Sequence, residues 1–149
     1  MSVSGALARL AVVSQAATTA LDVRANLIYS APPDQLPSFP ALVFQYASST
    51  FDLYPFGQVP TGQCLERATL TASYLTNLGT ISRAQAAVLS FITAFRAVIA
   101  ANQNLNGECR QVRLTGANMG MVDYNGNDYV GCELTLELDL YHATTWVEA

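Results

Sequence analysis

The sequence predicts an α+β fold: a mostly antiparallel β-sheet with two α-helices packed on one of its faces. Three observations carry this expectation. Residues 82–102 place Val88, Phe91, Ile92, Phe95, Val98 and Ile99 on one arc of a helical wheel, with Ser82, Ser90, Thr93 and Arg96 opposite. Residues 130–141 alternate instead: Cys132, Leu134, Leu136, Leu138 and Leu140 point one way, and Glu133, Thr135, Glu137 and Asp139 the other. Between these two segments lies Asn125-Gly126, the pair that best accepts positive φ at both central positions of a hairpin turn. A one-sided helix and a one-sided strand imply a layer of helix on a layer of sheet.

The elements follow in order. Ser4 to Leu21 reads as the first helix, because Leu7, Leu10, Val13, Ala17 and Leu21 recur on one side. Val23 to Ser30 reads as a strand. Residues 31–40 hold four prolines, which fix φ and withhold backbone donors, so an extended loop is expected there. Pro40 then opens a strand over residues 41–46, a place where a strand tolerates proline. Residues 48–63 carry two prolines and two glycines and read as a protruding loop, yet they also carry Phe51, Leu53, Tyr54, Phe56 and Val59. A solvated loop should be polar, so Phe51, Leu53, Tyr54 and Phe56 are the candidate partner-docking residues. The alternative is a loop folded back over its own core. Cys64 to Leu75 reads as a strand, and Ser82 with Gln85 as the capping box of the second helix. A polar turn at 102–107, a strand over about 108–115 and the closing hairpin complete the chain. Gly116 to Gly120 reads as a connection or a bulge.

The whole of residues 1–149 reads as one domain, a length that suits a single core. Composition then excludes whole chemistries. The chain is 51% apolar and only 12% charged, against about 25% charged in an ordinary soluble domain. All seven basic residues are arginine, and there is a single histidine, His142. Without lysine there is no Walker-type phosphate loop and no Schiff base. One histidine excludes a two-histidine metalloprotease helix. No cofactor, metal site or catalytic residue is therefore expected, and the chain is not read as an enzyme. The net charge of −4 gives no basic footprint for nucleic acid. Cys64, Cys109 and Cys132 are odd in number and far apart, and read as buried apolar residues in a reducing compartment. The apolar window around Ala84–Ala101 is interrupted by Gln85, Ser90, Thr93 and Arg96 and reads as an amphipathic helix, with no membrane partner expected. No signal peptide is expected at the N-terminus.

Three other patterns bear on chemistry. Asp123 to Asp128 alternates oxygen side chains like a calcium loop, but Asp128 stands where glycine is required and Leu134 where glutamate is required. His142 has no serine elbow to serve and reads as an exposed residue beyond the last strand. The row Glu133, Glu137 and Asp139 reads as a solvated or lumen-lining acidic face.

Taken in order, these segments resemble the tail terminator and tail-completion proteins of long-tailed bacteriophages. The resemblance covers nearly the whole chain. It rests on the alanine-rich first helix, on Phe39-Pro40-Ala41-Leu42-Val43-Phe44 leading into a strand, and on the long segment before Cys64. It rests also on the helix from Ser82, and on Tyr124-Asn125-Gly126 followed by Tyr129-Val130-Gly131 and the alternating strand. The resemblance implies a non-enzymatic homo-oligomeric ring, commonly a hexamer. Such a ring caps the tail tube protein, stops its polymerisation and meets the head–tail connector or neck. DNA passes through its lumen without sequence-specific binding. It implies a virion location at the head–tail junction after assembly in the host cytoplasm. On that reading Glu133, Glu137 and Asp139 face the lumen. A neck or head-closure adaptor is the alternative in the same biology, and a small α+β ligand-binding domain or enzyme is the alternative outside it.

Overall fold

A computed structural model describes residues 2–54, 61–77 and 80–145. Side chains within 52–54, 61–64 and 143–145 and that of residue 81 fall outside the description. The element order is α1 (Val3–Ala16), α2 (Thr18–Leu21), β1 (Ile28–Tyr29), β2 (Ala41–Tyr54), β3 (Thr61–Thr76), α3 (Ile81–Ala101), β4 (Gln111–Tyr124) and β5 (Asn127–Thr145). The five strands form one sheet in the order β1-β2-β3-β5-β4. Only β1 runs parallel to its neighbour, and every other pair is antiparallel. The α+β fold expected from the sequence is therefore the fold of the chain.

The core lies between the helices and one sheet face. Helix α1 starts at Ser2, whose hydroxyl accepts from the Gly5 amide at 3.0 Å, and it buries Ala6, Leu10 and Ala11. Helix α3 starts at Thr80, whose side chain accepts from the Arg83 amide at 3.4 Å. The N-cap is thus Thr80, and the box expected at Ser82 lies inside the first turn. Helix α3 is long and apolar enough to cross a membrane by composition. Its Ala84, Val88, Phe91, Phe95 and Ile99 are instead buried against the sheet. Opposite them stand Leu42 and Phe44 of β2, Ala68, Leu70, Ala72 and Tyr74 of β3, and Leu134, Leu136, Leu138 and Leu140 of β5. Phe91 stacks on Tyr74 with centroids 4.1 Å apart and planes 8° from parallel, and on Phe95 at 5.5 Å. Burying one such ring contributes about 1.5–3 kcal/mol, so this stack is a principal fastening of helix to sheet.

Several sequence expectations change. The first helix is interrupted at Ala17 and resumes as the single turn α2, closed by Asp22 at φ 56°. The strand expected over 23–30 shrinks to Ile28–Tyr29, after a 3-10 turn at Ala25–Leu27. The proline segment forms no regular element, contains a cis Phe39–Pro40 peptide, and is tied to the β4–β5 hairpin. The Tyr124 hydroxyl donates to the Pro33 carbonyl, the Asn125 amide to the Asp34 carbonyl, and Phe39 packs on Tyr129 at 4.9 Å. Asn125 and Gly126 turn the hairpin with φ of 52° and 82°, as their identity predicts. Cys109 lies in the turn before β4, not in a strand.

The largest correction concerns residues 48–63. They are not a loop at either end. Strand β2 continues to Tyr54 and β3 begins at Thr61, in register from Ser48↔Thr69 to Tyr54↔Gln63. Residue Ala47 is the extra residue of a bulge between Tyr46 and Ser48. The bulge shifts the pleat by one residue, so Phe44 and Tyr46 before it share a face with Ser49 and Phe51 after it. Strand β4 carries a second bulge between Leu114 and Gly116. There Val112 and Leu114 share a face with Ala117, Met119 and Met121. Gly116 to Gly120 therefore lies inside a strand.

Candidate functional site

All three helices lie on one side of the sheet, so the opposite face is the candidate interaction surface. The register fixes its composition. On β5 it carries Glu133, Thr135, Glu137, Asp139 and Tyr141, paired across β3 with Ser73, Thr71, Thr69, Arg67 and Leu65. On the other side, β4 adds Gln111 opposite Asp139 and Arg113 opposite Glu137. The predicted alternation of β5 thus places Glu133, Glu137 and Asp139 together on one face.

The face is polar, but its charges are mixed. Arg113 donates to both oxygens of Asp139, at 2.9 and 3.3 Å, and lies 3.6 Å from Glu137. Hydrogen bonding to Asp139 raises the Arg113 pKa above the ordinary arginine value, with both carboxylates adding to the effect and partial burial opposing it. Arg67 lies directly across β3 from Asp139, exposed. Among the described side chains of β3, β4 and β5, three carboxylates thus share the face with two guanidinium groups. The wholly acidic row expected from β5 alone is corrected by its neighbours β3 and β4. At the same end the Arg110 guanidinium sits 4.8 Å from the Tyr141 ring centre and also bonds its hydroxyl.

A second polar cluster lies on the helix-side face, where β2, β3 and β5 extend past the helices. The Tyr46 hydroxyl donates to Ser49 Oγ at 2.8 Å, and Ser49 Oγ donates to Glu66 Oε2 at 2.6 Å. Glu66 Oε1 meets His142 Nε2 at 2.8 Å. His142 is therefore paired and half-buried, not a free residue beyond the strand. Its carboxylate partner, 76 positions away, is given by strand register and no local motif announces it. Serine, glutamate and histidine here do not form a hydrolase triad. In a triad the imidazole touches the hydroxyl and the carboxylate orients the imidazole. Here the carboxylate stands between them, so the imidazole cannot take the serine proton. The buried thiols are equally unsuited to attack. Burial pushes Cys109 up to about 11 and Cys132 up to about 12. Among the described residues no group of three histidine, cysteine or carboxylate side chains is placed to hold a metal ion.

Of the docking residues expected from the sequence, Phe51 stands on β2 with 62% of its surface exposed. Leu53 and Tyr54 lie on the same strand, and Phe56 lies outside the described residues. Among the described residues the sheet also has two open edges. Strand β1 covers only Leu42 and Val43 of β2, which leaves residues 44–54 without a described strand on that side. Strand β4 is the other edge. Beside it runs a groove of about 750 Å³ between β4 and α3, lined by Ile92, Arg96, Ala100, Gln103, Leu114 and Ala117 among others. Comparison of the chain with protein-family models and with curated proteins returns no match.

Proposed function

We propose that the chain is a structural subunit of a ring at the head–tail junction of a long-tailed bacteriophage, acting as a tail terminator. The ring caps the tail tube, ends its growth and meets the neck, with DNA passing through the lumen. The observation that carries this reading is the one-sided architecture. Every helix packs on one sheet face, and the helix-free face presents hydroxyls and nearly balanced charges. A lumen that passes DNA must not bind phosphate tightly. Lysine-rich or arginine-rich surfaces do so by releasing counterions. Here, among the described side chains, Arg67 and Arg113 stand beside Glu133, Glu137 and Asp139, so DNA meets a surface that neither grips nor strongly repels it. A subunit with different surfaces at its two ends can close into a ring, which stops its own growth while each ring face binds another protein.

The test is to image the purified chain and measure its mass, then add it to growing tubes of the cognate tail tube protein. The expected result is a closed ring at one tube end, with elongation arrested there. Tubes that grow to the same length with and without the protein would overturn the terminator role. A ring that binds the neck and leaves tube growth untouched would assign the chain to the neck.

A further inference from the structure

We infer that the open edge of β2 in one copy adds to the open edge of β4 in a second copy, seating Tyr46 and Phe51 in the groove between β4 and α3. The inference deepens the ring reading and rests on it for closure of the assembly.

Four observations carry it. First, both edges are unsatisfied among the described residues. Residues 44–54 pair on one side only, and β4 pairs only with β5. Beyond Val112, whose amide donates to the Gln103 carbonyl at 2.8 Å, no backbone hydrogen bond is made on the outer side of β4. An exposed edge of this length is a template for another strand, and natural chains cover or blunt it.

Second, the directions match. Across the order β2-β3-β5-β4 every pair is antiparallel, so β2 and β4 run in opposite senses. A second copy placed in line continues the antiparallel alternation with its helices on the same side.

Third, the levels match. Hydrogen-bonded rows run Tyr46–Leu70–Leu136–Leu114 and Ser49–Ala68–Leu138–Val112. Carried straight across to the next copy, the incoming Tyr46 lands beside Leu114, and strand pairing is confined to residues 44–48 against 113–117, because the Gln103 carbonyl already takes the outer side of Val112. Phe51, two positions beyond Ser49, reaches the Gln103 end of the same groove.

Fourth, the side chains are complementary. Tyr46 and Phe51 lie on the helix-side face and are 45% and 62% exposed. The groove lies on that same side, and its walls are small where the rings must enter. Ala97 and Ala100 line α3, and Ala117 lines β4. Met121, on the same face of β4, is 56% exposed and extends the apolar edge. Among the described residues, three of the five large apolar side chains left exposed thus lie on the two edges that would meet. The contact is heterologous: each copy offers a rib on one side and a groove on the other.

That asymmetry gives a discriminating experiment. The rib variant is Tyr46→Arg with Phe51→Arg, and the groove variant is Ala100→Arg with Ala117→Arg. All four positions are solvent-exposed, and unchanged circular dichroism with a single cooperative melt establishes that each variant folds, the loss of assembly by itself lowering the midpoint. Solution mass is then measured for wild type, for each variant and for their mixture. Wild type is expected to form a higher oligomer and each variant alone to be a monomer. The mixture is expected to stop at a one-to-one dimer, because the intact groove of the first accepts the intact rib of the second. A variant that keeps the wild-type mass, a mixture that forms no complex, or a wild type still monomeric at about 1 mM overturns the inference. The two readings fail separately. Rings that persist and still cap tubes in both variants remove this interface and leave the terminator role. The expected masses with tubes uncapped remove the role and leave the interface.

Discussion

Gly131 offers the sharpest test of the strand register. It lies on β5 opposite Leu75 of β3. A Cβ added there would sit 1.9 Å from the Tyr74 carbonyl oxygen and 3.2 Å from the Leu75 Cα. Real Cβ contacts stay beyond 3.0 Å, so Gly131→Ala must part the two backbones by at least 1.1 Å (3.0 − 1.9). Strands sit about 4.8 Å apart, so this is roughly a quarter of their spacing. The neighbouring bond from Thr76 Oγ1 to the Val130 carbonyl, buried at 2.8 Å, would stretch with it. Overpacking of this kind costs about 1–3 kcal/mol, and stranding a buried polar group costs about 1–3 kcal/mol more. Reduced freedom of the unfolded chain returns about 0.4–1 kcal/mol. The net loss is about 3 kcal/mol, or about 6–12 °C in Tm for a chain of this size. Gly120→Ala is the control, because its Cβ would meet nothing within 4 Å. Urea and thermal melts at one fixed protein concentration measure both variants, since assembly would add to apparent stability. If Gly131→Ala melts with Gly120→Ala, the close approach of β3 and β5 at this row is wrong.

Other outcomes follow from the polar face and the buried thiols. Arg113→Ala should cost about 1 kcal/mol in urea melts at low salt and less at high salt, because the pair with Asp139 is partly exposed. Arg113→Lys should recover only part of that loss, since a single ammonium cannot span both carboxylate oxygens; full recovery would show that the bidentate geometry is idle. In a Cys64→Ser background, Cys109 and Cys132 should resist an aromatic disulfide reagent at pH 8 until denaturant is added, and rapid labelling of the folded chain would contradict their burial. The same two thiols set an alkaline limit. Their folded pKa values lie above the ordinary 9.0, so the folded chain holds these protons longer than the unfolded one. Their contribution is complete below pH 9 and is lost as pH rises through about 11 and about 12. The urea midpoint should therefore fall steadily above pH 9; a flat midpoint between pH 9 and 11 would refute this.

Periodicity found α3 and β5 because each keeps one phase from end to end. It shortened β2 and β4 for a single reason. The bulges at Ala47 and Thr115 shift the pleat, so alternation counted along the chain stops at 46 and near 115 while the strands continue. The residues beyond then look like aromatic or glycine-rich loops. Phe51 was legible as an apolar side chain in want of a partner, but its place on a strand edge was not.

The sequence by itself determined the layering of the fold, the Asn125-Gly126 turn and the sharing of one face by Glu133, Glu137 and Asp139. Each of these depends on residues close in the chain, whose spacing fixes the direction of their side chains. Tertiary structure decided what those side chains meet. Arg113 reaches Asp139 across a hairpin, and His142 reaches Glu66 across a register 76 residues long. It also decided that, among the described residues, β2 beyond Val43 and β4 beyond Val112 stand as opposite edges with no strand on their outer sides. Strand order and register are set by long-range pairing, which local spacing does not encode.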